Sequence, residues 1–212
     1  MSYAVKEIFK TLQGEGRQAG RASVFCRFSG CNLWSGREED RSEAQCRFCD
    51  TDFVGLDGEG GGRFAGPEDL ADAIERVWGE GRPERFIVFT GGEPLLQLDR
   101  ALLDAVHRRG FTCAVETNGT QATEAVAALD WICVSPKAGT PLNLRHGHEL
   151  KLVYPQPGLD PADLTGLAFD HFLLSPMDGP DRVANAQAAI AYCLAHPQWR
   201  LSVQTHKMLG IP

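Results

Sequence analysis

The chain has 212 residues, of which 43% are hydrophobic and 23% charged, the proportions of one globular domain with a full core. Its formal net charge of −7 argues against a general nucleic-acid-binding surface, and no apolar run approaches the length of a membrane span. Seven cysteines, an odd number, without an N-terminal segment that resembles a signal peptide, favour a reducing cytoplasm in which thiolates bind metal.

The chain opens with a segment, residues 7–16, in which glycines flank Glu15. Composition alone favours a surface hairpin here, although flanking glycines also let a backbone approach a ligand closely. A nucleotide-binding glycine motif is excluded because no strand precedes the segment and the spacing does not match. The next apolar run, residues 23–28, predicts a strand that Arg27 interrupts. We expect Arg27 either to lie at a sheet edge or to face inward as an anion anchor.

Apolar runs of strand length then alternate with helical patterns. Further strands are predicted at residues 86–90, 112–115, 131–134, 149–154, 171–174 and 201–203. Helices are predicted from Pro67, with Leu70, Ile74 and Val77 on the buried face, and over residues 98–109, 124–129 and 183–196. The last helix is expected to bury Ala186, Ile190 and Cys193. This alternation indicates an α/β fold with a mostly parallel sheet or barrel.

Polar or glycine-rich residues follow four of the predicted strands. They are Gly-Gly-Glu-Pro at residues 91–94, Glu-Thr-Asn-Gly at 116–119, Ser-Pro-Lys at 135–137 and Ser-Pro-Met at 175–177. Functional residues of parallel α/β folds collect at the carboxyl ends of the strands. The pattern therefore predicts a site at that end of the sheet.

Three cysteines are candidate metal ligands. Two residues separate Cys46 from Cys49. Cys31 follows the first predicted strand, and fourteen residues separate it from Cys46. A structural zinc site uses four protein ligands, whereas three leave one metal position open for chemistry. The alternatives are a zinc site completed by a distant histidine, and buried thiols that are unrelated to one another. The intervening residues 35–45 are charged and predict a solvated loop or short helix.

The other cysteines, Cys26, Cys113, Cys133 and Cys193, lie singly in apolar runs and are expected to be core residues. His146 and His148 are expected to lie in a loop rather than at a metal.

The residues around Cys31, Cys46 and Cys49, together with Gly-Gly-Glu-Pro at 91–94, resemble the radical S-adenosylmethionine enzymes. That family's usual spacing is CxxxCxxC, so the wide first gap is a departure. The resemblance implies that the three cysteines hold a 4Fe–4S cluster whose open iron binds S-adenosylmethionine. It also implies a cofactor site made of Phe48, Cys49, Asp50, Gly92, Glu93, Glu116, Ser135, Pro136, Lys137, Ser175 and Pro176.

Further segments, including Gln-Gly-Glu-Gly at 13–16 and Gln-Thr-His-Lys at 204–207, resemble the 7-carboxy-7-deazaguanine synthases within that superfamily. This resemblance implies a partial, trimmed (β/α) barrel, one domain over residues 1–212 with an insertion between Cys31 and Cys46, and a homodimer. It implies that 6-carboxy-5,6,7,8-tetrahydropterin is contracted to 7-carboxy-7-deazaguanine with loss of ammonia, on the route to queuosine. The implied substrate residues are Leu12, Gln13, Gly14, Glu15, Arg27, Thr90 and Pro212, with magnesium on Thr51.

By analogy, an electron donor such as a flavodoxin would reduce the cluster. Two other functions fit the same cysteines: a small activase that installs a glycyl radical on a partner, and a zinc or electron-transfer module without turnover. Activases often carry extra cysteine-rich cluster motifs, which this sequence lacks.

Overall fold

In the computed structural model, which describes residues 2–81 and 83–212, nine strands form one sheet in the order β3-β1-β2-β4-β5-β6-β7-β8-β9. The strands are β1 (Tyr3–Leu12), β2 (Ala22–Phe28), β3 (Gly62–Phe64), β4 (Phe86–Gly91), β5 (Thr112–Thr117), β6 (Trp131–Val134), β7 (His146–Tyr154), β8 (Ala168–Pro176) and β9 (Trp199–Leu201). β1 pairs antiparallel with β2 and β3, and every neighbouring pair from β2 to β9 is parallel. The edge strands do not pair with each other, so the sheet is open. The prediction of an α/β, partial and mostly parallel barrel is confirmed.

In the described part of the chain, four α-helices accompany the sheet: α1 (Pro67–Trp78), α2 (Arg100–Arg108), α3 (Arg182–Ala195) and α4 (Thr205–Leu209). Short 3₁₀ turns stand at Glu38–Glu43, Pro94–Leu96, Glu124–Ala128 and Pro161–Leu164. Pro67 begins α1, where its missing N–H is not needed. α2 begins two residues later than predicted because the Asp99 side chain accepts a hydrogen bond from the Leu102 N–H and caps the helix there. Among the described residues, no helix combines the length and apolar composition that crossing a membrane requires.

The two faces of the sheet differ in chemistry. One face forms the main hydrophobic cluster, in which strand residues such as Ile87 and Leu150 join helix residues such as Leu102. Because side chains alternate along a strand, the neighbouring positions point to the other face. Those positions include Thr90 and Lys151. The polar side of the sheet is therefore the inner side of the open barrel, not a solvated surface.

The predicted loop around His146 and His148 is wrong. Both residues lie on β7, which begins three residues earlier than predicted because His146 pairs with Ala168 of β8. The His148 ring stacks on Trp131 at 4.8 Å and its Nδ1 accepts the Ile132 N–H, so it is occupied by structural contacts. Partner strands override the glycine- and asparagine-rich composition that predicts a loop.

Two predictions near the C-terminus also need correction. α3 buries Ala189, while Ile190 is 37% exposed, because the helix packs on the sheet through the face that carries Ala189 and Tyr192. The last strand is Trp199–Leu201 instead of 201–203, because Trp199 pairs with Phe172 of β8. In both cases a tertiary partner, which local periodicity does not contain, sets the register.

Candidate functional site

The carboxyl ends of the parallel strands converge on two adjoining cavities. The first, called here the cysteine cavity, is lined by Cys31, Cys46 and Cys49 together with residues from the ends of β4, β5, β6 and β8. The second, called the arginine cavity, is lined by Arg27 and residues of the β1–β2 hairpin and the C-terminal segment. The space between their walls, including the part open to solvent, is about 980 Å³ in the first and 860 Å³ in the second.

The three predicted cysteine ligands do meet in the cysteine cavity. The Leu33 N–H donates to the Cys31 sulfur at 3.4 Å. The neighbouring Cys46 thiol lowers the pKa of Cys49 to about 6, although burial acts in the opposite direction. Since a thiolate is the form that binds metal, this neighbour favours the metal-binding form of Cys49.

A second group of potential metal ligands lies elsewhere. Within the described part of the chain, the one group of three His, Cys, Asp or Glu residues with all ligand atoms inside 4.8 Å is His107, Cys113 and Asp130. The three cavity cysteines share a cavity but their sulfurs do not all lie within 4.8 Å of one another.

His107, Cys113 and Asp130 form a structural contact away from both cavities. One Asp130 oxygen lies 2.8 Å from His107 Nε2 and accepts the Cys113 N–H at 2.7 Å. Burial raises the pKa of the Cys113 thiol. Cys26, Cys113 and Cys133 are fully buried and Cys193 is partly buried, so the four lie in or against the core as expected.

The segment between Cys31 and Cys46 contains a short 3₁₀ helix, Glu38–Glu43, and folds back onto the turn that carries Cys46 and Cys49. Arg41 lies 4.1 Å from the Trp34 ring centroid. Its Nη1 donates to the Arg47 carbonyl at 2.8 Å and to the Cys49 carbonyl at 3.1 Å. The inserted segment thus holds the turn that carries Cys46 and Cys49. Arg41 was not distinguished in the sequence from other charged residues of a solvated segment.

The end of β4 packs tightly against the Cys31 loop. A side chain on Gly92 would place its Cβ 2.2 Å from the Gly30 carbonyl oxygen and 2.6 Å from the Cys31 Cβ. The Glu93 N–H donates to the same Gly30 carbonyl at 3.0 Å. Glycine is therefore required at position 92 for the first cysteine to reach the cavity.

Glu93, predicted as a cofactor residue, is not among the residues that line the cysteine cavity. Its side chain is fully buried, and its carboxylate accepts hydrogen bonds from the Leu95 N–H, the Thr117 hydroxyl and the Asn118 N–H at 2.7–3.0 Å. Burial nevertheless raises its pKa, and those hydrogen bonds offset part of the effect. Glu93 ties the end of β4 to the end of β5. Pro136 is likewise buried outside the cavity wall.

The remaining residues predicted for the cofactor line the cysteine cavity: Phe48, Cys49, Asp50, Gly92, Glu116, Ser135, Lys137, Ser175 and Pro176. Lys137 lies 5.8 Å from the Phe48 ring centroid and donates to the carbonyl and hydroxyl of Ser135, each at 2.7 Å. Burial lowers the pKa of Lys137, although the neighbouring cysteines oppose this shift.

All seven residues predicted for the substrate line the arginine cavity: Leu12, Gln13, Gly14, Glu15, Arg27, Thr90 and Pro212. Arg27 of β2 pairs in register with Thr90 of β4, so the two lie side by side. Arg27 Nε donates to Glu7 at 2.7 Å. A ligand carboxylate would therefore bind the terminal nitrogens of the same guanidinium. Thr51 lines both cavities, next to Asp50.

The C-terminal segment closes one side of the arginine cavity. The Thr205 N–H and hydroxyl both donate to the Gly14 carbonyl, at 3.0 and 2.8 Å, and His206 packs directly against Gly14. The Thr11 hydroxyl donates to the Pro212 carbonyl at 2.9 Å. Lys207 lies between Asp50 and Asp178, at 2.5 and 2.6 Å. These contacts join the two ends of the chain at one site.

Comparison with known proteins identifies the family. A model of the radical SAM superfamily matches residues 42–150. A 7-carboxy-7-deazaguanine synthase of Bordetella pertussis is 64% identical over 212 residues, and one of Caulobacter vibrioides is 65% identical over 212 residues, with both chains covered completely in each case. The chain belongs to the 7-carboxy-7-deazaguanine synthases of the radical SAM superfamily. The crystal structure of QueE from Escherichia coli matches with a TM-score of 0.72 and 29% identity, over 97% of this chain and 95% of that one.

Membership of this superfamily implies a 4Fe–4S cluster and S-adenosylmethionine. The donor set fits, because three cysteines line one cavity that extends across the strand ends. Lys151, which lies on the wall of the same cavity, was not named in the sequence analysis. The sequence does show Glu149 and Lys151 alternating with leucines. That pattern usually indicates a strand with one solvent-facing side, so it did not single out Lys151 as a site residue.

Proposed function

We propose that the protein converts 6-carboxy-5,6,7,8-tetrahydropterin into 7-carboxy-7-deazaguanine with loss of ammonia. The observation that supports this best is the contact between the two cavities, which share six residues in their walls: Glu15, Asp50, Thr51, Thr90, Glu116 and Gln204. A radical generated in the cysteine cavity would need to travel no further than a shared wall to reach a substrate in the arginine cavity. The match of the relatives along their whole length supports the same reaction.

The chain's own residues have distinct tasks in this proposal. Cys31, Cys46 and Cys49 hold the cluster, which when bound supplies the electron that cleaves S-adenosylmethionine. Phe48 offers a flat apolar surface for the adenine, and the backbone of Gly92 offers acceptors for the methionine amino group. Since the Glu93 carboxylate is occupied by protein donors, only its backbone remains for that role.

On the substrate side, Arg27 binds the pterin carboxylate through its terminal nitrogens, since Glu7 occupies Nε. Gln13, Glu15 and Thr90 match the donors and acceptors on the ring edge. Glu116 and Ser135 accept or donate to the ribose of S-adenosylmethionine. Because these groups are held by the sheet, they need little reorganisation when ligands bind.

We also propose that a magnesium ion binds Thr51 and takes its remaining ligands from water and substrate, as Mg²⁺ commonly does. Thr51 lies on both cavities and between two aspartates, Asp50 and Asp52.

The chain further forms a homodimer in this proposal, through the exposed apolar surface of α3 and α4. Val183, Leu194 and Met208 are 68%, 79% and 76% exposed, and Val183 and Met208 line one cleft. Apolar side chains exposed together in this way mark protein interfaces. Val183→Asp should give a monomer in sedimentation velocity, whereas Leu96→Asp, an exposed apolar residue elsewhere, should not. A Val183→Asp dimer would reject this interface.

The activity is tested by anaerobic turnover of the reconstituted protein. Dithionite, S-adenosylmethionine, magnesium and 6-carboxy-5,6,7,8-tetrahydropterin are supplied, and products are identified by mass spectrometry. We expect 7-carboxy-7-deazaguanine from the wild type and from Cys113→Ala, and none from Cys49→Ala. Release of 5′-deoxyadenosine without this product would retain the radical chemistry and reject the substrate. Neither product, from protein with a verified cluster, would favour a metal module without turnover.

A further inference from the structure

A buried lysine joins the walls of the two cavities. Lys151 is in the middle of β7 and is 4% exposed. Its Nζ lies 2.8 Å from Glu15 Oε2 and 3.0 Å from Glu116 Oε2. Glu15 comes from the β1–β2 hairpin and Glu116 from β5, so one ammonium group connects three separate parts of the chain.

The second oxygen of each carboxylate is also held. Gln204 Nε2 donates to Glu15 Oε1 at 3.0 Å, and Gln13 Nε2 donates to Glu116 Oε1 at 2.9 Å. Each glutamate therefore has one oxygen on the shared lysine and the other on a carboxamide. Both glutamates line both cavities, while Lys151 lines the cysteine cavity. This arrangement fixes the distance between Glu15 and Glu116, which both line the boundary between the two cavities.

The charges explain why the lysine is needed. Burial alone would raise the pKa of Glu15, but Lys151, with help from Gln204 and His206, lowers it overall. The two carboxylates in turn raise the pKa of Lys151 well above its usual value, against the effect of its own burial. Without the ammonium, two carboxylates would face each other in a buried site, and one of them would take up a proton.

The other ionisable groups around this triad leave no substitute for it. On β7 the neighbour on the same face is Glu149, whose carboxylate accepts the Arg17 N–H at 2.8 Å. On β6 the neighbour is the buried Cys133 thiol, whose pKa burial raises well above its usual value. The other neighbouring ionisable groups are His171 of β8, Lys137 after β6 and His206 of α4. Lys137 is itself held by Ser135.

We propose that Lys151 is a positioning residue which keeps Glu15 ionised and at a fixed separation from Glu116, so that cleavage of S-adenosylmethionine stays coupled to conversion of the pterin. This rests on the proposed function. A protonated or displaced Glu15 no longer accepts from the pterin ring, while the cysteine ligands of the cluster are untouched. Loss of Lys151 therefore leaves cleavage of S-adenosylmethionine active but uncouples it from conversion of the pterin.

The test replaces Lys151 by methionine, which keeps the length of the side chain and removes the charge. Product and 5′-deoxyadenosine are measured in the same anaerobic reactions between pH 4 and 9, a range that includes the usual pKa of Glu15. For Lys151→Met we expect the acid limb of the rate profile to move up by at least one pH unit. We also expect a rise of at least tenfold in KM for the pterin and a clear rise in 5′-deoxyadenosine released per product formed.

Two further variants separate positioning from stability. Arg85→Met removes another buried cation, which is 5% exposed and paired with Glu75 at 2.6 Å, outside both cavities. It should lower thermal stability without changing the pH profile or the product ratio. The double variant Lys151→Met with Glu15→Gln restores the original net charge of the triad. Its acid limb should therefore return toward that of the wild type even though the pterin still binds weakly.

The outcomes are distinguishable from a failure of the proposed function. If the wild type makes no 7-carboxy-7-deazaguanine, the proposed function fails regardless of Lys151. If the wild type is active while Lys151→Met shows an unchanged acid limb and an unchanged product ratio, the role of Lys151 is refuted. Should Lys151→Met not fold, the double variant decides: an acid limb still displaced by a unit or more would overturn the charge argument.

Discussion

Replacement of Arg41 by methionine tests whether the inserted segment holds the loop that carries Cys46 and Cys49. Arg41 donates to two carbonyls of the cysteine-bearing turn and lies over Trp34, with 28% of its side chain exposed. A hydrogen bond from a charged group contributes roughly 1.5 to 3 kcal/mol, and a cation–π contact about 0.5 to 1 kcal/mol at an exposed site. Methionine retains the apolar contact with Trp34. The two hydrogen bonds share one nitrogen, Nη1, so they are counted as a single bond, and partial exposure then places the combined loss at about 2 to 3 kcal/mol.

The lost free energy destabilises the conformation in which Arg41 holds the loop with Cys46 and Cys49. The population of molecules in which this loop is open should therefore increase about 30- to 140-fold. The measurement is the rate at which a ferrous chelator removes iron from the reconstituted cluster under anaerobic conditions. Arg37→Met is the matched control, because Arg37 is 69% exposed and its nearest carboxylate, on Glu39, is 4.0 Å away. Equal rates of iron loss in Arg41→Met and the wild type, within a factor of two, would refute the reasoning.

The remaining predictions concern single residues of the site. Thr51→Ala should lose the response of turnover to magnesium while iron and sulfide content stay normal; a retained response would remove Thr51 from the magnesium site. Glu93→Ala leaves three donors without their acceptor, so the free energy of unfolding should fall by about 3 kcal/mol or more, as measured by denaturant titration. A loss below about 1 kcal/mol would show that water replaces the carboxylate. Lys207→Met should raise KM for the pterin about three- to tenfold at low salt, since two partly exposed ion pairs contribute roughly 1 kcal/mol or less each. Its effect should shrink in high salt, and an effect independent of salt would contradict an electrostatic role. Because the pKa of Glu15 is lowered below its usual 4.5, its contribution to stability is present above that pH and is lost as the pH falls through the lowered value. Thermal melts of Glu15→Gln should therefore depend less steeply on pH below 4.5 than those of the wild type, and parallel curves would contradict the shift.

Residues adjacent in sequence to strand ends were the most predictable part of the site. Thr90, Glu116 and Ser135 follow from the rule that parallel strands gather their carboxyl ends at one edge. The cysteine ligands follow from spacing together with the resemblance to radical enzymes. Both signals are local, and neither depends on which way a buried side chain turns.

What sequence could not supply is the orientation that distant partners impose. Glu93 is adjacent to the cavity wall but turns toward the Thr117 hydroxyl, from a strand that lies elsewhere in the sequence. Lys151 reads as the polar face of an amphipathic strand, yet that face lines the inside of an open barrel. Ile190 follows the helical period, but α3 rotates so that Ala189 packs on the sheet. Each case depends on contacts between residues far apart in the chain.

The hydrogen bonds from Thr205 to Gly14 have a consequence for biosynthesis. They join positions separated by 191 residues, so the hairpin wall near Glu15 cannot be completed until almost the whole chain has left the ribosome. Synthesis at about 5 to 20 residues per second delays that closure by roughly 10 to 40 seconds after the hairpin emerges. During that interval the cysteine loop and the strands beside it can already be present. Cluster insertion could thus precede the closure of the substrate wall in the newly made protein.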